Sequence, residues 1–171
     1  MNFDFVSTLP AAFKGIPVVI SGTGSLNFRG VEYLILTGDD PVQHVFEIRF
    51  DYHCSPFKEA LLIDDVLAVG HEGCFYLYDL VQNVNLTTIE MDGYFSNLYS
   101  YGNRVFVTSA RSVYCFEKQG LLIWKNNNIG IDGVLIEKFT DHQIYGSGEW
   151  DPPGGWRDFV LDIKTGDIID N

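Results

Sequence analysis

Basic residues are scarce in this sequence. The 171-residue chain has 11 lysine and arginine residues against 23 aspartate and glutamate residues, a formal net charge of −12. A surface with this excess of negative charge repels phosphate backbones and anionic lipid head groups. The composition therefore argues against nucleic acid and membranes as partners, and it favours a basic protein partner.

Cysteines and long apolar runs are also scarce. The three cysteines, Cys54, Cys74 and Cys115, cannot all pair within one chain and show no C-x-x-C spacing, so we expect reduced thiols. No apolar run approaches the ~20 residues that a membrane-spanning helix needs. The acidic segment 1–5 lacks the basic residues of a signal peptide. Together these absences predict a cytoplasmic location.

Motifs for catalysis and cofactor binding are absent. The 4 histidines are not spaced as metal ligands, and the dinucleotide-binding, P-loop and serine-nucleophile patterns do not occur. The adjacent carboxylates Asp39-Asp40 and Asp64-Asp65 would point to opposite faces of a strand. They therefore fit solvated turns better than a glycosidase pair. We expect neither an enzyme nor a bound metal or cofactor.

Short runs rich in Val, Ile, Tyr and Phe dominate the chain, with Gly, Asn and Asp between them. This pattern is typical of β-strands joined by turns. Only segments 7–14 and 55–62 have features of a short helix. We predict an all-β protein with strands that include residues 31–37, 45–50, 66–70, 75–80, 104–109, 112–117 and 159–163.

A repeat of about 38–40 residues runs through the later part of the chain. Residues 65–79 return 38 positions later as residues 103–117, and a third copy spans residues 141–162 with a longer insertion. The turn pair Asp92-Gly93 recurs as Asp132-Gly133. A period of this length matches one blade of a β-propeller.

The second copy, residues 102–125, resembles the blades of quinoprotein-like and WD-repeat β-propellers. In that pattern a hairpin ends in an acidic residue, and a Gly turn and a strand ending in Trp follow. Glu117, Gly120 and Trp124 fill these places. The resemblance implies antiparallel hairpin repeats in a small or incomplete β-propeller-like domain. A β-sandwich of the same hairpins stays open as the alternative.

The predicted organisation is a single β-rich domain over residues 1–171. Propeller-like repeats occupy residues 60–170, and the N-terminal segment 1–59 contributes an additional hairpin around residues 31–50.

The insertion in the third copy is the main candidate for a binding site. It places two Trp, three acids and one Arg on a hairpin, the kind of element that a rigid scaffold presents to a partner. The alternative is that both Trp pack on their own sheet, as we expect for most of the Tyr and Phe residues between 76 and 101. The predicted partner-binding residues are Glu149, Trp150, Asp151, Trp156, Arg157, Asp158, Glu72, Asp39 and Asp40.

In size, acidity and lack of catalytic motifs, the chain resembles the immunity proteins of bacterial contact-dependent inhibition and polymorphic toxin systems. The resemblance implies an acidic protein that binds and neutralises a basic toxin, most simply a nuclease domain, with acids that mimic phosphates. A scaffold or subunit of a larger host complex is one alternative. A carbohydrate-active enzyme is the other. No oligomeric state follows from the sequence.

Overall fold

The computed structural model describes residues 2–21, 28–38, 44–52 and 56–169. Within these ranges the chain forms strands and turns without a helix, which confirms the all-β prediction. Accordingly, no described segment is a helix long and apolar enough to cross a bilayer. The helical features noted at 7–14 and 55–62 are misleading. The strand Lys58–Ile63 pairs along its whole length with Val66–His71, and this ladder outweighs a weak local helix propensity.

The chain divides into two compact units, Met1–His53 and Cys54–Asn171. The boundary lies close to residue 60, where the sequence places the start of the repeats. That the two units belong to one domain stays a prediction.

The described residues of the first unit form one sheet of four strands, β1 (Asn2–Val6), β2 (Val18–Val19), β3 (Gly30–Thr37) and β4 (His44–Phe50). Their order in the sheet is β1-β3-β4-β2. The predicted hairpin at 31–50 is β3–β4, which is antiparallel, whereas β2 pairs with β4 in parallel.

In residues 56–169, the described part of the second unit, three antiparallel sheets follow one another along the chain. The first sheet has β5 (Lys58–Ile63), β6 (Val66–His71), β7 (Cys74–Asp79) and β8 (Val84–Glu90). The second has β9 (Phe95–Tyr101), β10 (Arg104–Ser109), β11 (Val113–Glu117) and β12 (Leu122–Asn126). The third has β13 (Val134–Phe139), β14 (Gln143–Glu149) and β15 (Trp156–Asp162). One sheet thus corresponds to one sequence repeat, and all seven predicted strand positions coincide with strands.

The second sheet packs on both of its faces. Val105 and Val107 of β10 share a core with Phe75 of the first sheet. Phe106, between them, shares a core with Ile144 of the third sheet. Successive side chains of a strand point to opposite faces, so one strand serves two cores. A sheet with apolar contacts on both faces fits a row of propeller-like blades rather than a two-sheet sandwich.

The Gly and Trp of the repeat pattern hold neighbouring sheets together. Gly166 has a φ of 76°, and a Cβ at this position would overlap the Trp124 ring. Trp124 Nε1 donates a hydrogen bond to the Ile163 carbonyl at 3.2 Å. Gly120, the equivalent glycine of the second sheet, packs in the same way against Leu86 and Thr87 of the first. These residues therefore have structural roles.

Candidate functional site

Three hairpin loops lie together at one end of the second unit, which we call the hairpin end. They join β6 to β7, β10 to β11, and β14 to β15. Backbone hydrogen bonds link them through the connections between sheets. The donor and acceptor pairs are Phe95 N to Glu72 O, Ala110 N to Tyr94 O, Gly133 N to Ala110 O, and Glu149 N to Gly133 O. Every sheet of the second unit therefore contributes to one continuous, braced surface.

The loop between β14 and β15, residues 150–155, is the tip loop. Trp150 N donates to the Gly155 carbonyl at 2.9 Å, which closes the loop at its base. A carboxylate oxygen of Glu149 accepts a hydrogen bond from Gly154 N at 2.6 Å, and Gly154 has a φ of 104° that suits glycine. The Glu149 side chain therefore braces the tip loop.

Trp156 lies beside two carboxylates on one face of the third sheet. It pairs across strands with Glu149. Asp158 follows two residues later on the same strand, so its side chain points to the same face. The indole packs over Gly133, where a Cβ would lie 3.1 Å from the ring, yet 42% of the residue stays exposed. Because Gly133 has no side chain, the indole can pack directly against it.

Trp150 and Arg157 form a second pair at the base of the tip loop. The Arg157 guanidinium lies 5.7 Å from the centre of the Trp150 ring, within the range of a cation–π interaction. Both line a pocket of about 370 Å³ whose floor includes Ile129 and Phe159. Trp150 therefore packs partly within the protein. The alternative in the sequence analysis expected this of both tryptophans.

Tyr94 extends the surface of the hairpin end toward β5, the first strand of the second unit. Its hydroxyl donates to the Asp132 carbonyl oxygen and lies 3.3 Å from the Asp132 carboxylate. The Phe57 ring is 6.1 Å from the Tyr94 ring, and 52% of Phe57 is exposed. Burial, then the negative charges of Asp132 and Glu149, raise the pKa of Tyr94 to about 12. Phe57, Tyr94 and Trp156, linked through Asp132-Gly133, form what we call the aromatic row.

The acids at the hairpin end differ in whether they form ion pairs. Asp92 pairs with Lys125 and accepts a hydrogen bond from Ser112. Within the described part of the chain, neither Asp132, Asp151 nor Asp158 forms an ion pair. These three carboxylates carry negative charge at the hairpin end, where Arg111 and Arg157 are exposed cations.

The structure brings most of the predicted binding residues together. Glu149, Trp150, Asp151, Trp156, Arg157 and Asp158 all lie in or beside the tip loop. Glu72 also lies at the hairpin end, but it is only 7% exposed and is therefore not part of the surface. Asp39 and Asp40 lie outside the described residues.

Sequence reasoning missed the aromatic row, because Tyr94 was assigned to sheet packing and neither Phe57 nor Asp132 was a candidate. The recurring pairs Asp92-Gly93 and Asp132-Gly133 were the available signal. Each pair comes just before the first strand of a sheet, at the hairpin end.

Other reactive groups of the described residues are committed to the fold. Burial raises the pKa of the Cys115 thiol to about 12 and also raises that of Cys74. Asp64 and Asp65 are exposed in the turn between β5 and β6, as their interpretation as turn residues predicts. In the described ranges, no group of three or more His, Cys, Asp or Glu side chains could hold a metal ion.

Comparison with solved structures shows a propeller-like fold. The chain superimposes on BamB from Moraxella catarrhalis with a TM-score of 0.56 and 14% identity, over 91% of this chain and 47% of that chain. It thus spans less than half the length of that protein. Hsv2 from Kluyvelomyces marxianus gives a TM-score of 0.44 and 12% identity, over 81% of this chain and 44% of that one. Protein-family models and curated proteins gave no match.

Proposed function

We propose that this chain is a protein-binding domain that takes a basic partner at its hairpin end. The observation that carries the proposal is Trp156, an indole that is 42% exposed and pairs across strands with Glu149, with Asp158 two residues along the same strand. Tryptophan is enriched among the residues that dominate binding energies, and carboxylates around it select a positively charged partner.

Rigidity supports this assignment. The tip loop is closed by its own backbone hydrogen bonds and fixed by the Glu149 side chain. Side chains that are already ordered lose less conformational entropy on binding. Loops on a rigid scaffold are also where binding residues concentrate.

The specific form of the proposal is that the chain is an immunity protein and its partner a basic nuclease toxin domain. A nuclease active site binds phosphates with Lys, Arg or His. Asp151 and Asp158 are exposed, and no ion pair is described for either, so they suit the place of two phosphates. The net charge of −12 would favour fast association with such a partner.

Affinity capture tests the proposal. The tagged chain and its double variant Asp151→Lys/Asp158→Lys are incubated with lysate of the source strain and washed at low and high salt. A matched control carries Asp65→Lys/Asp167→Lys, two exposed acids at the opposite end of the unit. We expect one basic protein in equal amount with the wild type and the control, and its loss from the tip variant.

The identity of the captured protein tests the proposal that the chain is an immunity protein. A nuclease whose activity is inhibited by the wild-type chain, and not by the tip variant, would support the immunity assignment. A multi-subunit complex retained equally by all three proteins would replace it with the scaffold alternative.

A further inference from the structure

Within residues 56–169, the third sheet has no long outer strand of the kind that completes the first two sheets. In the first sheet β8 pairs with β7 from end to end, and in the second β12 pairs with all but the last residue of β11. In the third sheet, the described residues add to β15 only a bridge between Leu161 and Ile168. We call the side of β15 that faces away from β14 the open edge.

Backbone groups at the open edge point away from β14. Ile169 N donates to the Val160 carbonyl at 2.8 Å on this side. Because the direction of backbone groups alternates along an antiparallel strand, the N–H and carbonyl groups of Asp158 and Trp156 point the same way. No described strand or turn pairs with the backbone groups of these two residues on that side. Unpaired edge groups of this kind are a template for a further strand.

A pocket of about 370 Å³ lies along the open edge. Phe159 and Val160 of β15 line it together with Ile168 and Ile169, the residues that begin the missing outer strand. Ile129, from the connection between the second and third sheets, adds a further apolar side chain. Unpaired backbone groups beside an apolar pocket fit an extended peptide, which gains affinity from main-chain hydrogen bonds and specificity from pockets for alternate side chains.

We propose that the open edge receives an extended segment of the basic partner as the fourth strand of the third sheet. The inference rests on the proposed function and deepens it, because Trp156 and Asp158 belong to both surfaces. The added strand runs antiparallel to β15 and continues the path of residues 167–169. One of its residues then lies opposite Asp158, which has no ion pair in the described ranges. A Lys or Arg at that position forms an opposite-charge cross-strand pair.

A second copy of the chain fits the open edge less well. In an antiparallel pair of identical strands related by a twofold axis, the central residue lies opposite itself. Arg157 and Asp158 are the middle residues of the open stretch 156–159. A register centred on either one places like charges directly opposite each other, which is destabilising. A partner segment with a basic residue opposite Asp158 avoids this conflict.

A defined peptide tests the inference without knowledge of the natural partner. The probe is the acetylated, amidated hexapeptide Val-Lys-Thr-Val-Lys-Thr, whose second and fourth residues lie opposite Asp158 and Trp156 in the proposed register. Binding to the full chain is measured at low salt by amide shifts and hydrogen exchange in NMR spectra. We expect saturable shifts at residues 156–160 and slower exchange of the Asp158 and Trp156 amides, because each gains a hydrogen-bond acceptor.

Backbone methylation separates strand pairing from general charge attraction. In the added strand, the N–H groups of the second and fourth peptide residues face β15, and those of the third and fifth face solvent. Methylation of the second and fourth nitrogens should weaken binding at least roughly tenfold, whereas methylation of the third and fifth, the matched control, should leave it unchanged. Both peptides carry the same charges and the protein is unaltered.

A protein variant tests the charge pair in the added strand. Asp158→Ala removes the carboxylate and keeps the backbone N–H, so we expect binding of the unmethylated peptide to weaken by roughly twofold to fivefold. Asp65→Ala, an exposed acid at the opposite end of the unit, is the matched control and should leave binding unchanged. Equal affinity of the two variants would remove the basic residue from the chemistry of the partner.

Other occupants of the open edge give distinct results. Absence of saturable shifts at β15 would overturn the inference, and it is the result expected if Asp170 and Asn171, which lie outside the described residues, occupy the edge. Equal affinity of the two methylated peptides would show that no strand is added. A dimer of the chain in sedimentation experiments, dissociated by the peptide, would assign the edge to a second copy.

Competition keeps this test separate from the test of the proposed function. We expect saturating peptide to release the basic protein that the full chain captures. If the captured protein depends on Asp151 and Asp158 but stays bound in the presence of the peptide, the proposed function stands and the role of the open edge falls. A captured partner that is not basic would remove the proposed function itself.

Discussion

The two ends of the second unit carry similar acids and use them differently. At the end opposite the hairpin loops, which we call the turn end, Asp162 accepts hydrogen bonds from Lys164 N and Thr165 N at 2.7 and 3.0 Å. Asp79 caps the equivalent turn of the first sheet. At the hairpin end, Asp151 and Asp158 are exposed and have no described ion pair.

Tryptophans follow the same division. Trp124 at the turn end is 8% exposed and joins two sheets, whereas Trp156 at the hairpin end packs over Gly133 and is 42% exposed. The indole of Trp124 thus holds two sheets together, whereas Asp151, Asp158 and Trp156 at the hairpin end stay exposed. Residue type alone does not separate a buried tryptophan from an exposed one.

The largest expected effect comes from removing the turn-end indole. Trp124→Ala deletes a buried ring and its hydrogen bond to Ile163, so we expect a loss of about 3–5 kcal/mol in the free energy of unfolding. Trp156→Ala should cost about 1 kcal/mol or less, because the ring is half exposed. Urea denaturation of both variants measures the difference. Equal losses would show that the two ends do not differ in this way.

A pair of glycine variants tests the same division at the backbone. Gly166→Ala adds a methyl group at positive φ against Trp124, whereas Gly154→Ala adds one at positive φ with nothing within 4 Å. Both should lose about 1–2 kcal/mol from the backbone conformation, and Gly166→Ala should lose more because of the overlap. Thermal unfolding distinguishes them. A Gly166→Ala variant as stable as Gly154→Ala would contradict the packing of Trp124.

Charge reversal probes the free acids of the hairpin end. Asp151→Lys/Asp158→Lys should slow association with the captured basic partner by about tenfold or more at low salt, and by less at high salt, because exposed charges are screened. Stopped-flow mixing measures the rate. Asp65→Lys/Asp167→Lys at the turn end changes the net charge equally. An equal slowing in this control would show a general charge effect and remove the tip from the interface.

The smallest expected effect concerns Glu59 on β5, a half-buried acid that accepts a hydrogen bond from Leu98 N at 2.7 Å. Burial raises the pKa of Glu59 above its ordinary value of 4.5. Since the folded-state pKa is raised, stability present below pH 4.5 is lost as the pH rises through the folded-state pKa. Glu59→Gln should flatten this part of the stability profile, and urea titrations at several pH values test it. An unchanged profile would contradict the raised pKa.

Much of the fold was predictable because its signals are local. The strands were predictable from alternating apolar residues and from the Gly and Asp residues of the turns. The sheets were predictable from the 38-residue repeat. The strand Lys58–Ile63 was missed because its short sequence also fits a helix start. Only pairing with β6 decides between the two.

The sequence by itself determined an acidic, all-β chain of repeated hairpins with a Trp-rich tip, since these properties depend on composition and on neighbours along the chain. Tertiary structure decided which side chains meet. It buried Glu72, seated Trp156 on Gly133, and brought Phe57 beside Tyr94. Such contacts depend on how successive sheets stack, and residues distant in sequence become neighbours only when the sheets bury their apolar faces against one another.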